Sequence, residues 1–260
     1  MSSCTKIYWD NKIDISALTA SSDSSNYPVE NIQHIHRSKV WRTTGITSEN
    51  IVIDYGMGNT FLAESLIISK HNLTSSVIIT LQGNNSDSWG APAFSVIVST
   101  LGDYEYNNDS IIIDTTTATT AYRYWRIVIA DTTNTNSYLE IGRIFLGEGL
   151  DIDKSVSDSF TETYRDSTTT ETSISGQSFS DPGYYLREYD LFFPWWDETM
   201  KNLIKNMFDT VKSFKPVFFA IDKTNLDKIT LVYARVTSEP AYTHIYNFYW
   251  SASMTILEVN

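Results

Sequence analysis

A chain of 260 residues with 42% hydrophobic and 19% charged side chains has enough apolar material for one large or two ordinary packed domains, which excludes wholesale disorder. Its net charge of −12 divides evenly, −6 over residues 1–150 and −6 over residues 151–260, with no basic stripe; tight binding to nucleic acid or an anionic membrane, which needs clustered Lys and Arg, is disfavoured. The single cysteine, Cys4, rules out a disulfide framework within the chain, no signal-peptide pattern is visible, and no apolar run is long enough for a membrane span, so synthesis in a cytoplasm and no membrane insertion are expected.

In chain order, residues 1–26 hold an apolar-rich piece, CTKIYWDNKIDISAL, suited to a strand or an arm that packs elsewhere, and then the polar loop TASSDSSN. From Ile51 the segments IVIDYG, LIIS, VIITLQ, FSVIV, SIIID, YWRIVIA and IGRIFL are short, β-branched and aromatic, separated by turn chemistry such as GNNSDSWG and DTTNTNS. No helical period runs through this half, and many short strands with frequent turns predict a sandwich. The pattern breaks at GEGLDID, residues 147–153, which places a boundary near 150. The Ser/Thr-rich stretch that follows is read as strands, because Thr favours strands and Phe160, Tyr164, Ile174 and Phe179 are spaced through it.

The second half contains one convincing helix. Met200, Leu203, Ile204, Met207, Phe208 and Val211 recur with a 3.6-residue period, and Asp197 and Glu198 sit at the positive end of the helix dipole. The spacing predicts Leu203, Ile204, Met207 and Phe208 against a sheet, with Lys201, Lys205 and Asn206 outward. Strands flank the helix: YYLREYDLFF before it, then PVFFAID, ITLVYARV and IYNFYWSASMTILEV.

Two resemblances follow. The blocks YPVENIQHIHRSKVWRTTG, ENIVIDYG, SLIISKHNL, VIITLQGNNSDSWGAP and YRYWRIVIAD…YLEIGRIFLGE, over residues 27–148, resemble in order the galactose-binding-like β-sandwich, the discoidin or coagulation-factor type C module. That resemblance implies a jelly roll that binds sugars, lipid head groups or proteins through loops at one end and is rarely an enzyme by itself. Over residues 155–260 the order of elements, with the helix running into KPVFFAID and a terminal YNFYWSASMTILE strand, is similar to ring-forming distal-tail or tail-tip proteins of tailed bacteriophages. That resemblance implies a homo-oligomeric ring, usually a hexamer, in contact with tube and hub proteins of a virion tail. The fold class expected is mainly β: an N-terminal jelly-roll sandwich (27–150) after an arm and loop (1–26), and a C-terminal β-sandwich (151–260) with one amphipathic helix near 197–212.

No catalytic constellation emerges. There is no G-x-S-x-G elbow and no phosphate-binding G-x-x-x-x-G-K-[ST] loop, and Cys4 has no motif around it. The carboxylate pairs Asp10/Asp14, Glu162/Asp166 and Asp151/Asp153 suit glycosidic acid–base work only if they flank a sugar; in an acidic chain they read as solvated charge. His34 and His36 have H-x-H spacing without an acidic or Cys partner beside them, so no metal and no cofactor are expected. Trp41 reads as a core or loop anchor. Trp89, in the turn NNSDSWGAP, suits either a stacking platform or a structural role. Arg37, Arg42 and His71 lie near the landmarks of the sandwich family, whose sugar-binding members use loop Arg, His and Asn; Arg37 and His71 are the candidate partners of Trp89 at a ligand site, against a reading as surface salt bridges or loop hydrogen bonds. Trp195 and Trp196 precede the helix, and since side chains alternate along an extended segment, one should face outward as a subunit contact. The expectation is a non-enzymatic virion tail component for assembly or host-surface contact, with a host-surface glycan as a candidate partner; the alternative is a soluble carbohydrate-binding module without catalytic activity.

Overall fold

The computed structural model describes residues 5–100, 111–115, 117–152, 160–221 and 231–259. The chain is mainly β and divides into two compact units. The division does not follow the linear order: one unit is Asp10–Gly149, and the other joins Met1–Trp9 to Leu150–Val259.

The path begins with β1 (Thr5–Tyr8), whose four residues are all buried. The chain then enters the first unit. After a 3-10 turn at Lys12–Ile15 come β2 (Ala17–Ala20), a second 3-10 turn at Val29–Gln33, β3 (Trp41–Arg42), β4 (Glu49–Asp54), β5 (Ser65–His71), β6 (Ile78–Asn84), β7 (Phe94–Thr100), β8 (Ile111–Thr115), β9 (Tyr124–Ala130) and β10 (Glu140–Gly147). These strands form two antiparallel sheets, one in the order β3-β10-β5-β8 and the other β2-β4-β9-β6-β7. A non-consecutive order in both sheets is what a sandwich with crossing connections produces. In β4, Ile51 and Ile53 alternate with half-buried residues, and in β9, Trp125, Ile127 and Ile129 do the same. These inward side chains meet Leu66, Ile68, Ile141, Ile144, Leu146 and Trp41 in one core. Among the described residues, the unit contains no helix longer than its 3-10 turns.

Six of the seven residues of β5 are buried, and the segment carrying the second 3-10 turn covers its sheet, packing on β10 and bonding Ser69 of β5 through Arg37. Arg143 of β10 is 2% exposed and fixes that cover: its guanidinium bonds the Ile32 carbonyl at 3.0 Å and the Asp14 carboxylate at 2.7 and 2.8 Å. Gln33 Nε2 adds bonds to the carbonyls of Ile13 and Ser16. Gly142 has no side chain for a reason: a Cβ there would collide with the Arg37 carbonyl oxygen, so any larger residue would push the cover away.

The chain then returns to the second unit as β11 (Leu150–Ile152), β12 (Thr161–Asp166), β13 (Thr169–Thr172), β14 (Ser178–Asp181), β15 (Tyr185–Trp196), α1 (Glu198–Val211), β16 (Val217–Ala220), β17 (Leu231–Val236), β18 (Ala241–Tyr246) and β19 (Tyr249–Glu258). Eight strands make one antiparallel sheet in the order β11-β1-β16-β17-β19-β15-β12, with β18 also on β19; among the described residues β13 and β14 pair only with each other. β1 lies between β11 and β16, with Ile7 opposite both Leu150 and Phe219. The arm expected at 1–26 is therefore split: Thr5–Tyr8 completes the second unit's sheet, and residues from Asp10 belong to the first unit. Both partners of β1 are more than a hundred residues away in sequence, so no local signal marks the pairing.

The helix is capped as its sequence implies. Asp197 accepts a bond from the Met200 amide at 2.7 Å. Its register differs from the expectation. Met200, Ile204, Met207 and Val211 form the buried stripe, Phe208 is half-buried, and Leu203 is 41% exposed. A helix seated along one narrow stripe leaves its flanking positions in solvent even when they are apolar. Lys201, expected outward, is half-buried: its ammonium lies 3.7 Å from the Trp250 ring centre and pairs with Glu198 at 2.7 Å.

Candidate functional site

The structure does not bring the three expected ligand residues together. Arg37 is 3% exposed, in the cover described above, and donates to Ser69 Oγ of β5 at 3.1 Å. His71, at the end of β5, is 7% exposed, and its Nδ1 accepts from the Leu73 amide at 3.1 Å. Burial pushes its pKa down to about 4, against the opposing pull of Asp131. Neither side chain is open to a ligand here. Trp89 is on the other sheet. Its half-buried indole stacks on Arg126 of β9, with the guanidinium carbon 4.7 Å from the ring centre, and its Nε1 donates to Asp87 at 2.6 Å. Arg126 in turn gives two hydrogen bonds to Gln82 Oε1. That arrangement latches the 85–93 turn onto the sheet face.

The adjacent tryptophans alternate. Trp196 is fully buried and stacked on Phe193 at 4.5 Å, while Trp195 is 46% exposed beside Tyr249. His34 and His36 have ring centres 5.1 Å apart on a loop, and among the described residues no group of three or more His, Cys, Asp or Glu could hold a metal ion. Asp10 pairs with Lys12 and Asp14 with Arg143, so each of these carboxylates serves a structural ion pair. Glu162 and Asp166 lie on β12 and face Tyr189 and Tyr185 across the ladder with β15. Cys4 and Asp153 lie outside the described residues.

What the fold does gather is one end of the first unit's sandwich. The 21–28 segment, the 42–48 segment, the turn after β5 and the 131–139 loop between β9 and β10 are hydrogen-bonded to one another. Trp41, fully buried, sends its Nε1 to the Ser22 carbonyl at 3.2 Å and to Asp23 at 2.7 Å. Glu49 accepts from the hydroxyls of Ser21 and Ser22 at 2.5 and 2.6 Å. Asp131, fully buried, accepts from the Thr74 amide and hydroxyl at 2.8 and 2.5 Å. Asn72 donates to the Tyr138 carbonyl at 2.9 Å and accepts from the Glu140 amide at 2.7 Å. Loops tied this densely hold their side chains in place rather than sampling many positions.

At the centre of this end stands Arg42. Its guanidinium carbon is 4.2 Å from the Tyr27 ring centre and 4.4 Å from that of Tyr138. Its Nε and Nη2 both donate to Glu140 Oε2, at 3.0 and 2.5 Å. That bond holds the guanidinium pKa above its ordinary value. The four side chains are all half-buried, with Arg42 and Glu140 28% and 26% exposed. Sequence reading missed Tyr27, Tyr138 and Glu140. The available signal was the alternation of Trp41 and Arg42: a Trp turned into the core forces its neighbour Arg to the opposite side.

No protein-family model matches the chain, and no curated protein does. Solved structures resemble about half of it. Chitosan-binding module 1 of a chitosanase/glucanase from Paenibacillus sp. IK-5 shares 19% identity, covering 53% of this chain and 98% of that one, with a TM-score of 0.41. The family 32 carbohydrate-binding module of C. perfringens NanJ, in complex with galactose, shares 13% identity over 55% and 98%, with a TM-score of 0.40. Reduced XRCC1 bound to the DNA pol beta catalytic domain shares 15% over 50% and 93%, with a TM-score of 0.39. At these values the likeness assigns no ligand and no activity to this chain.

Proposed function

We propose that this is a non-enzymatic binding protein, whose first unit engages a carbohydrate at its loop end and whose second unit seats it in a larger assembly. The observation that carries the reading is the cross-bonded loop end, which holds aromatic rings and an ion pair half-exposed on a rigid sandwich. A shallow site of this kind binds weakly, at about millimolar Kd or roughly −4 kcal/mol, and gains through several linked copies. The test is a glycan array probed with the full chain in multivalent form, with chitosan and galactose, named for two of the similar structures, among the sugars. Binding to a restricted set of glycans supports the reading; no binding on the array and none in NMR titration to tens of millimolar removes it.

A second reading places the protein in the tail of a tailed phage, as a ring-forming distal-tail or tail-tip component in contact with tube and hub proteins. One observation favours it. The second unit exposes Phe192, Trp195 and Tyr249 on its sheet, and Ile174 and Phe179 on the β13–β14 hairpin, which among the described residues pairs with no other strand. Apolar surface in this quantity suits a face that another subunit covers. Imaging of an intact particle that reveals a closed ring of copies supports this reading, and a single asymmetric copy overturns it. The tail reading and the carbohydrate reading are compatible, since each uses a different unit.

A further inference from the structure

Arg42 uses only part of its hydrogen-bonding capacity. Nε and Nη2 both converge on one oxygen of Glu140, and among the described residues Nη1 on the arginine and Oε1 on the glutamate are not engaged in that pair, which leaves them for a ligand. The two groups sit side by side at the half-exposed loop end, flanked by Tyr27 and Tyr138. A guanidinium can only donate and a carboxylate can only accept. A ligand that satisfies both must therefore offer an acceptor and a donor at neighbouring positions. Two hydroxyls on adjacent carbons do so, because each hydroxyl can play either part.

We infer that Arg42 and Glu140, with Tyr27 and Tyr138, form a binding site for a vicinal diol of a neutral saccharide. The inference rests on the carbohydrate reading above and names its residues and ligand class. Two further features support it. The first is preorganisation. Asn72 ties down both Tyr138 and Glu140, and Ser137, immediately before Tyr138, is held at φ 60°, a left-handed backbone that non-glycine residues adopt at a cost. Asn134 buttresses the same loop, accepting from the Asn136 amide at 3.0 Å and donating to the Asn72 carbonyl at 2.9 Å. The second is charge. Glu140 neutralises Arg42, and Asp23 and Glu49 stand on the adjoining segments, so no unbalanced cation faces a carboxylate-bearing sugar. The tyrosine rings supply apolar edges against which the C–H face of a pyranose packs.

The experiment is NMR titration of the full chain with methyl galactoside, methyl mannoside and galacturonate, on the wild type and on Tyr138→Ala, Glu140→Gln and Trp89→Ala, with a thermal melt of each variant. The expected result is binding of a neutral glycoside that weakens at least about tenfold in Tyr138→Ala and in Glu140→Gln, and stays within about twofold in Trp89→Ala. Tyr138 is a half-exposed loop residue, so its variant keeps the measurement usable if the glutamate variant fails to fold. If the wild type binds and Tyr138→Ala binds equally well, the site is wrong while the carbohydrate reading stands. If Trp89→Ala alone abolishes binding with its fold intact, the site lies on the other sheet. Galacturonate binding more tightly than the neutral glycosides overturns the ligand class. If the wild type binds none of these sugars and no glycan on the array, the carbohydrate reading falls and this inference with it.

Discussion

The two units solve the same problem, covering a β-sheet, in opposite ways. The first unit closes on itself: two sheets face one core, a strap covers the sheet that holds β5, and the loops are bonded together at one end. Among its described residues only Ile15, Met57, Ile78 and Ile97 are large apolar side chains left exposed. The second unit spreads eight strands into one sheet, lays a single helix of 14 residues on it, and exposes thirteen such side chains among its described residues. The contrast teaches that apolar content alone does not say whether a unit is finished. A strand with polar residues on its outward positions ends in water, whereas β15 turns Phe192 and, beyond its bulge, Trp195 outward, which leaves apolar surface uncovered within the unit.

The largest expected effect breaks the comparison where the chain passes between the units. Since β1 and β11 are antiparallel neighbours with Ile7 opposite Leu150, residues 10–149 leave and re-enter the second unit at one place. Residues 10–149 expressed alone should fold and unfold in one cooperative transition, and residues 150–260 without residues 1–9 should not, because the β1 position between β11 and β16 is then empty. Circular dichroism with urea unfolding of both fragments checks this; a cooperative 150–260 fragment would show that the split strand is dispensable.

Tryptophan substitutions sharpen the contrast next. Trp125→Ala, at a fully buried position of the first core, should cost about 3–5 kcal/mol, whereas Trp195→Ala should change the stability of the isolated chain by less than about 1 kcal/mol. Equal losses in chemical denaturation would mean that Trp195 is covered within its own chain. Arg143→Ala belongs to the same range. Removing one partner of a buried, doubly bonded pair with Asp14 should cost about 3–5 kcal/mol and release the strap, with faster hydrogen exchange at Ile32 and Gln33. In the second unit, Ile204→Ala should cost about 2–5 kcal/mol and Leu203→Ala less than about 1 kcal/mol, which reads the helix register directly.

The last effect is a pH dependence that the first unit carries through His71. His71 stays neutral in the folded state down to about pH 4, while an unfolded histidine protonates near its ordinary pKa of 6.5. The unfolded state therefore binds more protons between these values, and stability falls as pH drops from about 6.5 towards 4, by at most about 1.4 kcal/mol per pH unit. Above pH 6.5 the contribution is constant. Urea midpoints of His71→Gln and the wild type over this range check it, and identical slopes would mean that another group is responsible.

The sequence by itself determined the elements that local pattern controls. The alternation in ENIVID and YWRIVIA, the turn chemistry between strands, the absence of a helical period before residue 150 and the capped helix after Asp197 are each written within a few residues, where side-chain sterics and hydrogen bonding act. The outward turn of Trp195 beside the buried Trp196 follows from the same two-residue repeat. Only the tertiary structure decided the rest. It set β1 among strands far along the chain, chose the stripe of the helix that meets the sheet, buried His71 at the end of β5, and buried Arg37 in a strap whose anchor, Arg143, lies over a hundred residues away. It also brought Tyr27, Arg42, Tyr138 and Glu140 to one place from separate segments. Nothing near any one of these residues records that meeting, because a site of this kind depends on which loops the closed sandwich brings to the same end, and that follows from strand order rather than from neighbouring sequence.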